Sequence, residues 1–374
     1  MKIVFTGGGT GGHIYPIIAI TREIKKISPP DQEIRFFYIG PKDELTARLL
    51  SQEGIKIKPI LAGKIRRYCT IIAILQNIID IFKTAVGIIQ AFGHLFFLAP
   101  DLVFSKGGFG AFPVIISARI LRIPIFLHES DAVSGLANRI TAKFAAEVFI
   151  SFPKTENINA SKMILVGNPI RKEILEGSEE DARKLFEITS NRPVILILGG
   201  SQGAQKINDL ILDSLPQLIE DFEIIHQAGI RNFEQVKAEA EVVLNKESRK
   251  YYHIYPFLRE IELKHAYKIS DFIISRAGSG SIFEIAALGK ASILIPLPGS
   301  AQDHQLKNAY AYAKNKAAIV IEQENLTPNF FITTLKNILA DQKRRKKMEE
   351  AAKNFSKPRA AEIIANYILE YFQR

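Results

Sequence analysis

Tryptophan is absent from the 374-residue chain, and cysteine occurs once, at Cys69. A single cysteine excludes an internal disulfide and thiolate zinc clusters, as expected of a protein in a reducing cytoplasm. The seven histidines have no acidic or cysteine partners at metal-ligand spacing, so no metal and no cofactor are expected. The basic–apolar–small pattern of a secretory signal is missing from the first residues. Basic residues exceed acidic ones by ten, yet they are dispersed except at 343–347, and no RNA-binding aromatic signature accompanies them. Nucleic acid is therefore not expected as a partner. An anionic membrane surface or a phosphorylated substrate fits the surplus better.

Long apolar runs are also scarce. The longest, about 71–98, is broken by Gln76, Asn77, Asp80, Lys83 and Gln90, and its uncharged remainder falls short of the ~20 residues a spanning helix needs. Ile71, Ile72, Leu75, Ile78, Ile79, Phe82, Val86 and Ile89 recur at helical spacing. Two readings stay open. The helix packs into the core, or it lays an apolar face on a bilayer, with Lys64, Arg66 and Arg67 meeting anionic headgroups.

What is present is an alternation of strand-like and helical patterns from end to end. Apolar runs at 34–39, 55–60, 102–105, 123–127, 148–151 and 163–166 follow a first strand at 2–6. The pattern restarts at Val194 and continues at 224–226, 251–255, 272–275, 292–295 and 318–321. This predicts two α/β domains with parallel sheets. Helical sequence runs from about Thr327, and Pro358 separates off a final helix over 360–372. Ligands in such sheets bind beyond the carboxyl ends of strands, which directs attention to the loops there.

Two of those loops are glycine-rich turns at the head of each half: Gly7-Gly8-Gly9-Thr10-Gly11-Gly12-His13 and Gly199-Gly200-Ser201-Gln202-Gly203-Ala204. Strand, tight turn and helix start leave N–H groups pointing outward, a setting for phosphate. Gly7, Gly9 and Gly12 fit the dinucleotide fingerprint, but the next strand ends Tyr38-Ile39-Gly40-Pro41-Lys42, without an acid for a ribose. The Gly-Lys-Ser/Thr of a phosphate loop is missing as well. His13 could take a proton from a hydroxyl near neutral pH, or merely bond locally. In the second half, Arg276-Ala277-Gly278 leads into a helix bearing Glu284, which could accept ribose hydroxyls or complement the helix dipole. The cluster Gln302-Asp303-His304-Gln305 with Asn308 could read sugar hydroxyls or simply cap a surface helix.

Taken in order, several stretches resemble the MurG family of peptidoglycan glycosyltransferases: 7–16, Gly107-Gly108-Phe109, His128-Glu129 with Gly135-Leu136 and Asn138, and 167–171. In the second half they are 199–204, His226-Gln227 with Gly229, Pro256-Phe257, Arg276-Ala277-Gly278 with Glu284, and Asp303-His304-Gln305 with Asn308-Ala309. The resemblance implies a GT-B fold, two Rossmann-like domains with parallel sheets facing a central cleft. Residues 1–165 would form the acceptor and membrane-associated domain, with the helix of 358–374 packing back on it. Residues 166–357 would hold the donor.

The resemblance also implies an inverting transfer of N-acetylglucosamine from UDP-N-acetylglucosamine to the 4-hydroxyl of undecaprenyl-pyrophosphoryl-muramyl-pentapeptide, at the cytoplasmic face of the cell membrane. The donor would lie against Arg171, Gly200, Ser201, Gln202, Phe257, Leu258, Ala277, Gly278, Glu284, His304 and Gln305. The acceptor would lie against Thr10, Gly11, Gly12, Glu129, Asp131 and Asn138, with His13 as the base. Ile71, Ile72, Leu75, Ile78, Ile79 and Phe82 would contact the membrane. The family usually has Gln and Asn where this chain has Ser130 and Asp131, which adds a negative charge beside a pyrophosphate acceptor. A diacylglycerol-type lipid glycosyltransferase and a UDP-sugar epimerase are the alternatives.

Overall fold

The structure is a computed structural model that describes residues 1–8, 11–64, 70–158, 163–200 and 203–372. Thr10, Ser201 and Gln202 lie outside the described residues, as do Arg66 and Arg67 and the side chain of Ile71. The chain divides into two compact units, 1–170 with 358–374, and 171–357.

The first unit runs β1 (Lys2–Thr6), α1 (Gly11–Ile27), β2 (Arg35–Pro41), α2 (Glu44–Gln52), β3 (Lys56–Ile60), α3 (Ile71–Leu98), β4 (Leu102–Ser105), α4 (Phe112–Ile120), β5 (Ile125–Glu129), α5 (Leu136–Ala142), β6 (Glu147–Ile150) and β7 (Met163–Leu165). The second runs α6 (Glu179–Leu185), β8 (Val194–Leu198), α7 (Gln205–Asp221), β9 (Glu223–Gln227), α8 (Phe233–Val243), β10 (Tyr252–Tyr255), α9 (Glu260–Ile269), β11 (Phe272–Ser275), α10 (Ser279–Leu288), β12 (Ser292–Leu294), α11 (His304–Ala313), β13 (Ala318–Val320), α12 (Pro328–Ala340) and α13 (Gln342–Phe355). The last helix, α14 (Ala360–Tyr371), belongs to the first unit.

Each sheet is parallel throughout, in the order β3-β2-β1-β4-β5-β6-β7 and β10-β9-β8-β11-β12-β13. Short runs such as Val194–Leu198 are buried at every residue because helices cover both faces. The strand order reverses between β1 and β4 in the first sheet and between β8 and β11 in the second. Chains leaving these pairs diverge to opposite faces, which opens a crevice at the carboxyl ends of the strands. The loops after β1 and β4, and after β8 and β11, are therefore the ligand-facing ones. Both glycine-rich turns fall there.

The division between units lies after Ile170, five residues beyond the expected boundary at 165. Val166 and Gly167 still donate backbone hydrogen bonds to Ile150 O of β6, which holds the segment in the first unit. The final helix returns to the first unit: Ile364, Ala365 and Ile368 join the core around α1, and Tyr367 and Tyr371 meet the rings of Phe149 and Phe126 edge-on.

Helix α3 is long and apolar enough to cross a membrane by length and composition. Among its described side chains, only one narrow stripe is buried. Asp80, Gly87, Ala91 and Leu95 face inward, where Leu61 N donates to Gln90 Oε1, Gly63 N to Thr84 Oγ1 and Ser117 Oγ to Ile88 O. Ile72, Leu75, Ile78, Ile79, Phe82, Ile89, Phe96 and Phe97 are exposed, Phe97 by 87%. The packed-core reading of this helix therefore holds only for the stripe of Asp80, Gly87, Ala91 and Leu95. Most of the other bulky apolar side chains point away from the unit, the reverse of an ordinary surface helix.

Candidate active site

The crevice of the first unit is bounded by His13 in the first turn of α1 and by the Lys106-Gly107-Gly108 loop after β4. His13 Nδ1 lies 3.1 Å from the Lys106 carbonyl. A carbonyl only accepts, so Nδ1 carries the proton and donates, and Nε2 is left with its lone pair. That is the tautomer a base needs. The ring is wedged against glycine backbone, where a Cβ on Gly8 would sit 3.2 Å from Nε2. Gly107 has φ +77°, and a Cβ there would meet Asn138 Oδ1 at 2.0 Å, so only glycine fits beneath Asn138.

Glu129 and Asn138 are both buried, and they bond to each other through Asn138 Nδ2 at 2.8 Å. Glu129 also accepts from the backbone N–H of Asp131 and Gly135. The carboxylate thus braces its own loop. Burial raises its pKa, and Asp131 raises it further. Asp131 is half-buried at the loop surface, and Gly11 and Gly12 open α1 beside His13.

Lys106, which the sequence motifs do not single out, is almost completely buried. Its ammonium reaches His128 Nδ1 at 2.5 Å, Ser130 Oγ at 2.6 Å and Asn168 Oδ1 at 3.4 Å. Burial lowers its pKa to about 7 despite the opposing pull of Glu129 and Asp131. His128 donates from Nε2 to Gly167 O, and burial followed by the Lys106 charge pushes its pKa well down. It is a neutral acceptor for the lysine.

In the second unit, Arg171 and Glu284 come together although 113 residues separate them. Arg171 Nη2 lies 3.2 Å from Glu284 Oε1, and Nη1 lies 3.1 Å from Glu260 Oε2. Tyr267 Oη donates to Glu284 Oε2 at 2.9 Å, and its own pKa is raised by burial and by that carboxylate. Glu284 is held from both sides in α10, with 12% of its side chain exposed. This is more than a first-turn acid complementing a helix dipole. Neither α7 nor α10 has a side-chain N-cap among the described residues, and Gly200 and Gly278 precede their first turns. Helix starts of this kind present backbone N–H groups to anions.

Backbone and side chains around the remaining donor candidates are already engaged. Gln227 Oε1 accepts from Leu258 N at 2.9 Å, so this N–H, expected near a uracil, is committed to a buried partner. Phe257 beside it is half-buried. Gln305 Oε1 accepts from Leu297 N, and His304 Nδ1 donates to Ala301 O. Ala277 is buried, and its carbonyl lies 3.5 Å from Asn308 Nδ2. Arg276 ties the carbonyls of Ile295 and Pro296 to Gln323, a bracing role. His226, part of a matching motif, is buried between Tyr252 and Asn208, with its pKa lowered to about 3 by burial. It is a neutral core residue.

Residues 3–150 match the glycosyltransferase family 28 N-terminal domain, and residues 194–364 match the family's C-terminal domain. A curated relative from Clostridium tetani, the UDP-N-acetylglucosamine--N-acetylmuramyl-(pentapeptide) pyrophosphoryl-undecaprenol N-acetylglucosamine transferase, is 37% identical over 99% of this chain and 98% of its own length. The chain belongs to glycosyltransferase family 28. The crystal structure of MurG from Acinetobacter baumannii has a TM-score of 0.74 at 27% identity, with 99% of each chain covered. A UDP-GlcNAc 2-epimerase from Neisseria meningitidis, bound to UDP-GlcNAc, reaches a TM-score of 0.70 at 18% identity over 99% of this chain and 100% of its own. At that identity the epimerase shares the fold alone. As a family 28 member the chain is a glycosyltransferase, and the epimerase alternative is not favoured.

Proposed function

We infer that this family 28 enzyme moves N-acetylglucosamine from UDP-N-acetylglucosamine to the 4-hydroxyl of undecaprenyl-pyrophosphoryl-muramyl-pentapeptide, in the synthesis of peptidoglycan. The reading rests above all on one observation: His13 stands at the β1/β4 switch point with Nδ1 tied to the Lys106 carbonyl. The acceptor hydroxyl gives its proton to Nε2 as its oxygen attacks the anomeric carbon. The bond to the UDP oxygen breaks on the opposite face, so an α-linked donor gives a β-linked product. Charge developing on the departing diphosphate is met by N–H groups at the starts of α7 and α10. Gly200 and Gly278, with Ser201 and Gln202, take the diphosphate. The carboxylate of Glu284 takes the ribose hydroxyls, and Phe257 and Leu258 flank the base. Gln305, His304 and the Ala277 backbone attend the sugar. Thr10, Gly11, Gly12 and Asp131 line the acceptor, with Glu129 and Asn138 shaping that loop from beneath.

The test is incubation with labelled UDP-N-acetylglucosamine and a short-chain muramyl-pyrophosphoryl lipid. The expected product is a lipid-linked disaccharide with UDP released in equal amount. UDP-sugar binding without that product would overturn the reading. A diacylglycerol acceptor, offered in parallel, is expected to give none.

Glu284→Gln keeps the size of the side chain and removes its charge. A hydrogen bond to a charged group contributes ~1.5–3 kcal/mol, so the KM for UDP-N-acetylglucosamine is expected to rise ~10–100-fold. The acceptor KM should stay within about twofold, a split that steady-state kinetics reads directly. An unchanged donor KM would remove Glu284 from the ribose role.

We further propose that α3 docks on the cytoplasmic face of an anionic membrane as a peripheral contact. Its outward face carries Ile72, Leu75, Ile78, Ile79 and Phe82, and Lys83 on the same helix is half-exposed. The stripe of Asp80, Gly87, Ala91 and Leu95 is committed to the protein, which favours a helix lying in the interface over one that spans it.

A further inference from the structure

The described residues hold one lysine buried almost completely, and it sits directly at the switch point where the acceptor is placed. An ammonium has three hydrogens to donate, and three acceptors converge on this one: His128 Nδ1, Ser130 Oγ and Asn168 Oδ1. They come from β5, from the loop after it, and from the segment that leaves β7. None of the three is a carboxylate, so the site holds a charge without a direct counter-ion. Its charged neighbours are Glu129 and Asp131, near enough to act through space, while His13 of α1 binds its carbonyl. His128 is kept neutral.

We propose that Lys106 is a positioning residue for a diphosphate-bearing acceptor: its ammonium fastens the 128–131 loop to Asn168 and offsets Asp131, so that an anionic group can approach. This rests on the acceptor assignment made above. It also accounts for Asp131, whose negative charge would otherwise repel a diphosphate. Because the ammonium is buried, it acts through the loop and through its field, without touching the substrate. The field of a cation in a water-poor site is far less screened than at a surface.

Three kinetic measurements test this. Lys106→Met keeps most of the packed volume and removes the amine. The acceptor KM is expected to rise about tenfold or more, the scale of losing charge-assisted hydrogen bonds, with the donor KM within about twofold. In the wild-type protein the lysine titrates near pH 7, so the acceptor KM should be low at pH 6 and rise toward pH 8.5 as the proton leaves. That rise should vanish in Lys106→Met. Ser130→Ala removes one anchor and buries no new charge, and it should raise the acceptor KM by a smaller factor.

A folded Lys106→Met with an unchanged acceptor KM overturns the proposal. So does a lower kcat with both KM values unchanged, the signature of disturbing only His13. If Lys106→Met does not fold, a wild-type acceptor KM that stays flat between pH 6 and 8.5 overturns it instead. Absence of any lipid-linked disaccharide from wild type would defeat the acceptor assignment itself, a distinct outcome.

Discussion

His13→Ala is expected to lower kcat ~10²–10⁴-fold, the usual contribution of a positioned base. The UDP-N-acetylglucosamine Kd, measured by calorimetry, should stay within about twofold, because every described donor candidate belongs to the second unit. The size of the effect follows from the ring's fixed tautomer. With Nδ1–H donated to the Lys106 carbonyl, the lone pair of the neutral imidazole is on Nε2. His13→Asn is the sharper control. Its Nδ2 occupies the place of Nδ1 and can keep the hydrogen bond to that carbonyl, so it preserves the loop while supplying no base. It should be as inactive as alanine. If His13→Asn retained more than about a tenth of wild-type kcat, proton transfer to residue 13 would not be the limiting requirement.

The second large effect concerns α3. Replacing both Ile78 and Phe82 by aspartate should weaken binding to anionic vesicles by ~10²-fold or more. Burying one such side chain contributes ~1.5–3 kcal/mol, so losing two removes ~3–6 kcal/mol before any charge repulsion. Both side chains are exposed, by 47% and 68%, so the substitutions disturb no core. Turnover of a water-soluble acceptor analogue should therefore be unchanged, while turnover of vesicle-embedded acceptor should fall. Co-sedimentation and two parallel activity assays separate the outcomes. Unaltered vesicle binding in the double variant, or no vesicle binding by the wild-type protein, would overturn the proposed contact.

Both sheets were legible because buried parallel strands read as continuous apolar runs. The run at 272–275 matches β11 residue for residue, and the pattern at 102–105 matches β4. The crevice loops were legible for a related reason, since a glycine cluster directly after such a run marks a tight turn at the carboxyl end of a strand. Lys106 was not. Next to Gly107-Gly108 it reads as one more exposed cation, and its burial arises only when β5 and the 167–169 segment close over it. The Arg171–Glu284 pair was hidden for the same reason, because nothing local links positions 113 apart. For α3 the apolar period was plain, but the period alone could not say which face turned inward. Gly87 on the buried stripe decides that, because a Cβ there would meet Leu61 O at 1.8 Å and only glycine lets the 61–63 segment approach.

The division after Ile170 has a consequence for how specificity can change. All acceptor candidates fall within 1–170, and all donor candidates fall within 171–357. On the proposed assignments, recognition of the nucleotide sugar and recognition of the lipid-linked hydroxyl are therefore written in separate, uninterrupted stretches of the gene. Substitutions that retune the acceptor need not trade against donor affinity. Random mutagenesis confined to codons 1–170 should yield altered acceptor preference on an unaltered donor background, and the two properties can drift, or be selected, independently.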